Sequence, residues 1–150
     1  MLEVGNGGMT HSEYQAHFAL WALLKAPLII GCDVTHMTAS TKFILMNENI
    51  IAINQDPLGK QGKRYNSQRT LTGALEVWAG EILSGRAIIL FNRSSFKQTM
   101  GVNFGEIGFI FPGGNLTNLI TNQNYGYVKG FFSTSVESHS VVVLRLDNPK

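Results

Sequence analysis

The chain has 150 residues, of which 44% are hydrophobic and 15% charged. That balance excludes a disordered polymer and suits one ordinary domain, or a small domain joined to part of another. The net charge of +2 is scattered, and the one basic cluster, Lys60, Lys63 and Arg64, reads as a solvated loop and not as a nucleic-acid footprint.

Met1-Leu2-Glu3-Val4 is strand-like and has no lead-in. The chain thus reads like the back end of a larger α/β protein, with chemistry that depends on residues outside it. Gly5-Asn6-Gly7-Gly8 lacks both the phosphate-loop lysine and the dinucleotide pattern, so it reads as a plain loop. Thr10-His11-Ser12-Glu13 fits a capping box and predicts a helix from about His11 to Lys25, stopped by Pro27. Tyr14, Phe18, Trp21 and Leu24 recur at helical spacing and predict its apolar face, widened by Leu20, Ala22 and Leu23.

Leu28 to Val34 is a continuous apolar run until Asp33, the pattern of a strand covered on both faces in a parallel sheet. The single cysteine, Cys32, lies in it. It excludes an internal disulfide and reads as a buried inert thiol. Lys25 and Pro27 break the Ala19 to Val34 stretch, which is too short and too interrupted to span a membrane. No signal peptide is visible. A second helix is predicted over Ala39 to Met46 with Asn47 as a cap, and a short one over Asn49 to Asn54, leading into the turn Asp56-Pro57-Leu58-Gly59.

Beyond Gly59 the period becomes two. Strands are predicted at Leu75–Gly80, Ala87–Phe91, Gln98–Phe104, Leu116–Thr121, Val128–Thr134 and Ser140–Leu146. Turns are expected at Ser84-Gly85, at Pro112-Gly113-Gly114-Asn115 and at Asn124-Tyr125-Gly126. Short strands with regular turn signals predict an antiparallel sandwich. The first half then poses an energetic question. Burying Tyr14, Phe18, Trp21, Leu24 and Ile30 would contribute about 7–15 kcal/mol, as much as a whole domain's stability of about 5–15 kcal/mol. These groups must therefore stay exposed, repack on the sandwich or meet another chain.

Candidate chemistry is sparse. Glu13 reads as a cap, Glu48 as a first-turn charge, and Glu76, Glu81, Glu106 and Glu137 as residues on polar strand sides or in turns. Asp33, at the C-terminal end of an apolar strand, stands where α/β enzymes place functional groups, or else caps the next turn. The four histidines show no metal-ligand spacing, and Cys32 with His36 makes a poor thiol–imidazole pair across a strand-to-loop junction. Asn92-Arg93-Ser94 and Asn115-Leu116-Thr117 are glycosylation sequons, relevant to an exported protein.

Longer strings carry a resemblance. Met1 to Thr10, Phe18 to Asp33 and Ile51 to Gly62 closely resemble the C-terminal third of plant and fungal-type α-galactosidases (melibiases). Glu76-Val77-Trp78-Ala79-Gly80, Leu90-Phe91-Asn92-Arg93-Ser94 and His139 to Leu146 extend the likeness, which weakens between Phe104 and Phe131. It implies an α/β remnant of a (β/α)8 TIM barrel over residues 1–58, followed by an all-β antiparallel sandwich over residues 59–150. The implied activity is retaining hydrolysis of terminal α-linked galactose by two aspartates, in motifs that this sequence does not contain, so no catalytic residue is assigned and the chain is expected to be inactive alone. The family's Asp-Pro-Asp before the Met-Leu is likewise outside the sequence. Only Met1 carries over, as a substrate-lining residue. The resemblance implies an α-galactoside partner for the complete protein and a secreted, vacuolar or lysosomal location; the scattered charge and the interrupted apolar stretch predict no nucleic-acid or membrane partner, and no cofactor or metal is expected. The alternative from a different class is a non-catalytic sandwich module for carbohydrate binding or assembly, with Trp78, Tyr125, Tyr127, Phe131 and Phe132 as a stacking face.

Overall fold

A computed structural model describes residues 1–149. Three helices come first: α1 (His11–Leu23), α2 (Ala39–Leu45) and α3 (Glu48–Asn54). Eight strands follow: β1 (Lys63–Thr70), β2 (Gly73–Ile82), β3 (Gly85–Asn92), β4 (Gln98–Asn103), β5 (Gly113–Asn118), β6 (Asn124–Lys129), β7 (Phe131–Val136) and β8 (Ser140–Asp147). Six of them form one sheet in the order β1-β2-β3-β8-β5-β6, and β4 pairs with β7 in a second. Every strand pairing is antiparallel.

The large sheet has apolar groups on both faces, which explains the unbroken run Ala87–Phe91 in β3. Val77, Ala79, Ile88, Leu90, Leu144 and Leu146 share a core with Met100, Val102 and Val136 of the small sheet, closing the sandwich. The alternate residues Ala87, Ile89, Val141 and Val143 join a second core with Leu2, Val4, Phe18, Ala22, Leu23, Ile50 and Ile53. The helical part therefore packs directly on the outer face of the sandwich.

The capping box forms as expected: Thr10 Oγ1 accepts the Glu13 N–H at 3.3 Å, and Glu13 accepts the Thr10 N–H at 2.7 Å. The buried face of α1 differs from the one expected. Ala16, Ala19 and Leu23 are buried with Phe18 and Ala22, whereas Tyr14, Trp21 and Leu24 are only half-buried. At about 100° per residue the first three lie across the helix from Tyr14, Trp21 and Leu24. The alanines let the helix backbone approach the sheet, which large side chains would prevent.

The helix also stops before Pro27. Ala26 N–H donates to Trp21 O at 3.0 Å and Lys25 N–H to Ala22 O at 3.1 Å, the two bonds of a Schellman motif. Lys25 takes the left-handed position usually held by glycine, with φ 57°. Its ammonium donates to the carbonyls of Ile53 and Asn54, ending α3.

Several strand expectations need correction. The Leu28–Val34 run forms only one parallel bridge, Leu2 with Ile30, and Ile29, Ile30 and Val34 are exposed, because only one neighbouring segment lines it. Cys32 is half-buried and not fully buried. Of the basic cluster only Lys60 stays in a loop: Lys63 and Arg64 open β1, whose side chains are nearly all exposed. Backbone pairing with β2, and not apolar alternation, makes this strand, and its charges protect a sheet edge. The expected turn at Pro112–Asn115 is instead the start of β5. A Cβ on Gly113 would lie 2.3 Å from Val128 O, and one on Gly114 2.1 Å from Asp147 O, so both glycines serve close strand approach. The chain turns later, where Asn118 Oδ1 accepts the N–H groups of Ile120 and Thr121 at 2.9 and 3.1 Å. Asn124-Tyr125-Gly126, also expected to turn, begins β6. The run Val128–Thr134 divides at Gly130, φ 63°, where the chain passes from the large sheet to the small one.

Candidate functional site

Two short parallel segments set the position of Met1. Leu2 N–H donates to Ile29 O at 2.8 Å, and Leu2 is buried while Met1 is 75% exposed. Gly31 permits this approach, since a Cβ there would sit 2.5 Å from Leu2 O and 3.5 Å from Met1 Cβ. On the following residue, the Glu3 N–H donates to His17 Nε2 at 3.1 Å, tying the segment to α1 and placing the imidazole proton on Nδ1. Burial pulls the His17 pKa below its ordinary 6.5, with the Glu3 charge acting in the opposite sense.

Asp33 follows the second segment. Its Oδ1 accepts the Thr35 N–H at 2.8 Å and the Thr35 hydroxyl at 2.6 Å, and its Oδ2 lies 2.9 Å from His36 Nδ1. The bonds from Thr35 and then from His36 lower its pKa from 3.8 to about 2. An acid so far from neutrality makes a poor proton donor, and the geometry is that of a turn-forming aspartate. His36 is engaged with Asp33 and Thr35, so no Cys32–His36 bond forms.

The other carboxylates are mostly committed as well. Glu3 accepts from Asn6, Glu13 caps α1, Asp56 accepts from Leu58 and Leu83, Glu81 pairs with Lys60, Glu137 with Lys97 and Asp147 with Arg145. The bond from Lys60 holds the Glu81 carboxyl below its ordinary range. Among the described residues no group of three or more His, Cys, Asp or Glu could hold a metal ion, and no helix is long and apolar enough to cross a membrane.

Glu76 departs from the expected polar strand side. It is 2% exposed, with Oε1 3.1 Å from Arg64 Nη1 and 3.2 Å from Arg93 Nη1. Trp78 Nε1 donates to its Oε2 at 2.9 Å, and the Arg64 guanidinium lies 5.8 Å from the Trp78 ring centre. A buried carboxylate needs such partners. The sequence signal for it is an acid inside Leu75–Ala79 with cations on both flanking segments. The cluster satisfies the buried carboxylate and presents no free acid.

The five aromatics do not gather on one face. Trp78 packs with the helix-side core and Tyr125 and Phe132 with the sandwich core, the latter two with ring centres 4.8 Å apart. Tyr127 and Phe131 are exposed, yet they cover the strand glycines Gly113 and Gly101, where a Cβ would meet their rings at 3.1 and 2.5 Å.

The profile of the α-galactosidase C-terminal β-sandwich domain matches residues 72–146, and that of α-galactosidase A matches residues 1–56. An α-galactosidase of Oryza sativa subsp. japonica is 52% identical over 109 residues, covering 72% of this chain and 25% of its own length. α-Galactosidase 2 of Arabidopsis thaliana is 44% identical, covering 100% of this chain and 37% of its own. The crystal structure of α-galactosidase I from Mortierella vinacea superposes with a TM-score of 0.88 at 30% identity, covering 97% of this chain and 38% of the other. The chain thus spans about a quarter to a third of the length of these relatives. Its fold is the end of a TIM barrel followed by a β-sandwich, and it belongs to the α-galactosidase (melibiase) family.

Proposed function

We propose that this chain is the closing part of a retaining α-galactosidase. In this reading residues 1–58 complete the (β/α)8 catalytic barrel and residues 59–150 form the C-terminal sandwich. The complete protein removes terminal α-linked galactose from oligosaccharides or glycoconjugates, without a cofactor. Retention needs two carboxyl groups about 5–5.5 Å apart. Both come from barrel segments outside this chain, which is inactive alone.

The observation that carries this reading is the order of the two family profiles along one chain, barrel enzyme first and sandwich second. The contribution of residues 1–58 is positional. The Leu2–Ile30 pair and the close approach at Gly31 hold the backbone at Met1 beside a parallel segment, which supports a role for its exposed side chain in lining the sugar pocket.

Hydrolysis of a chromogenic α-galactoside tests the proposal. The purified 150-residue chain is expected to show no turnover, and a polypeptide carrying a complete barrel ahead of the same residues is expected to be active. Turnover by the chain alone, lost on changing one of its own carboxylates, would refute it.

A further inference from the structure

The two Asn-X-Ser/Thr sequons meet opposite fates in the fold. Asn92 and Ser94 are both fully buried. Asn92 Nδ2 donates to Phe96 O at 2.7 Å and to Val136 O and Glu137 O, each at 3.0 Å. Its Oδ1 accepts from Ser94 N at 2.9 Å and Ser94 Oγ at 2.7 Å. This amide clamps the end of β3 to the end of β7. A sugar on Nδ2 would take one of its two hydrogens and place a polar ring where three carbonyls converge, leaving buried acceptors unmatched.

Asn115 is exposed, and its side-chain amide makes no hydrogen bond among the described residues. Strand alternation puts Leu116, fully buried, on the sandwich face and Asn115 with Thr117 on the other. The acceptor amide and the hydroxyl that a sequon requires therefore share one side. The backbone beneath is fixed on both edges, since Asn115 is in register with Tyr127 of β6 and Asp147 of β8. The side chain opens onto a concavity of about 600 Å³ bordered by Leu83, Ser84, Asn124 and Arg145.

We propose that Asn115 is the N-glycan acceptor of this chain and that the fold excludes a glycan from Asn92. In the transfer, Asn115 Nδ2 attacks the anomeric carbon of a lipid-pyrophosphate-linked oligosaccharide. The new C–N bond forms as the C–O bond to the pyrophosphate breaks, the lipid pyrophosphate leaves, and Nδ2 gives up one proton. This inference is independent of the α-galactoside reading.

The test is expression of the chain behind a secretion leader in a glycosylating eukaryotic host. Occupancy is mapped by peptide mass after enzymatic glycan release in heavy-oxygen water, on secreted and cell-retained pools separately. Asn115 is expected to be occupied and Asn92 empty in the secreted pool, with Asn115→Gln and Thr117→Ala each losing one glycan's mass. An empty Asn115 in both pools, or an occupied Asn92 in the secreted pool, would overturn the proposal.

Discussion

The Glu76 cluster is asymmetric in a way that sets its mutational behaviour. The whole Glu76 side chain is 3% exposed, whereas the Arg64 and Arg93 side chains are 49% and 55% exposed. Removing one arginine leaves the other in place and should cost about 1 kcal/mol or less. Removing both strands a buried charge, and Arg64→Ala with Arg93→Ala should cost about 3–5 kcal/mol, more than the sum of the singles. Glu76→Gln keeps an acceptor for the Trp78 indole and lets both arginines re-solvate, so it should cost less than the double variant. Urea midpoints of the four proteins check this order. His17 adds a pH effect. Its folded pKa lies below the ordinary 6.5, so the unfolded chain binds the proton more readily and stability falls as pH drops below that value. The loss continues down to the lowered folded pKa. His17→Asn should flatten the wild-type stability curve below pH 6.5, as read from denaturation midpoints.

At the scale of elements, the junction between the helical part and the sandwich is close packing around one leucine. Leu23 ends α1 and is 1% exposed. Its carbonyl accepts the Gly62 N–H at 2.9 Å, and a Cβ on Gly62 would lie 2.5 Å from Leu23 Cγ. Gly62→Ala should therefore destabilise by about 1–3 kcal/mol and Leu23→Ala by about 2–5 kcal/mol. In the double variant the shortened side chain makes room for the new methyl, so the combined loss should fall clearly short of the sum in a thermal or urea cycle. Such elements were unevenly legible from sequence. The capping box of Thr10 and Glu13 announced α1, and continuous apolar residues announced β3, because local chemistry determines both. β1 escaped because its reason lies in β2, not in its own side chains. Gly113 and Gly114 looked like a turn because glycine serves tight turns and close strand contacts equally. The buried face of α1 is not legible in the sequence, because aromatics outweigh alanines in any apolar pattern while packing selects the small residues Ala16, Ala19 and Ala22.

At the scale of the whole molecule, the two family segments share a core. Leu2, Val4, Ala22 and Leu23 are buried with Ala87, Ile89, Val141 and Val143, so the helical part has a partner within the chain, one of the outcomes the sequence left open. Tyr14, Trp21 and Leu24 remain half-buried and Ile29, Ile30, Val34 and Phe43 exposed, so that burial is partial. The family was legible because long strings such as Ile51–Gly62 carry it. The committed state of Glu76 and the inaccessible amide of Asn92 were not, because both depend on strands distant in sequence. In the proposed function, bond cleavage relies on carboxylates outside these residues. A mechanism-based, activated fluoro-galactosyl reagent that accumulates the covalent glycosyl-enzyme of a retaining enzyme tests this in an active polypeptide that carries a complete barrel ahead of these residues. Peptide mapping should place the trapped sugar on an aspartate ahead of the residues that match Met1 onward, and a trapped sugar on Asp33 or any other carboxylate of this chain would overturn that assignment.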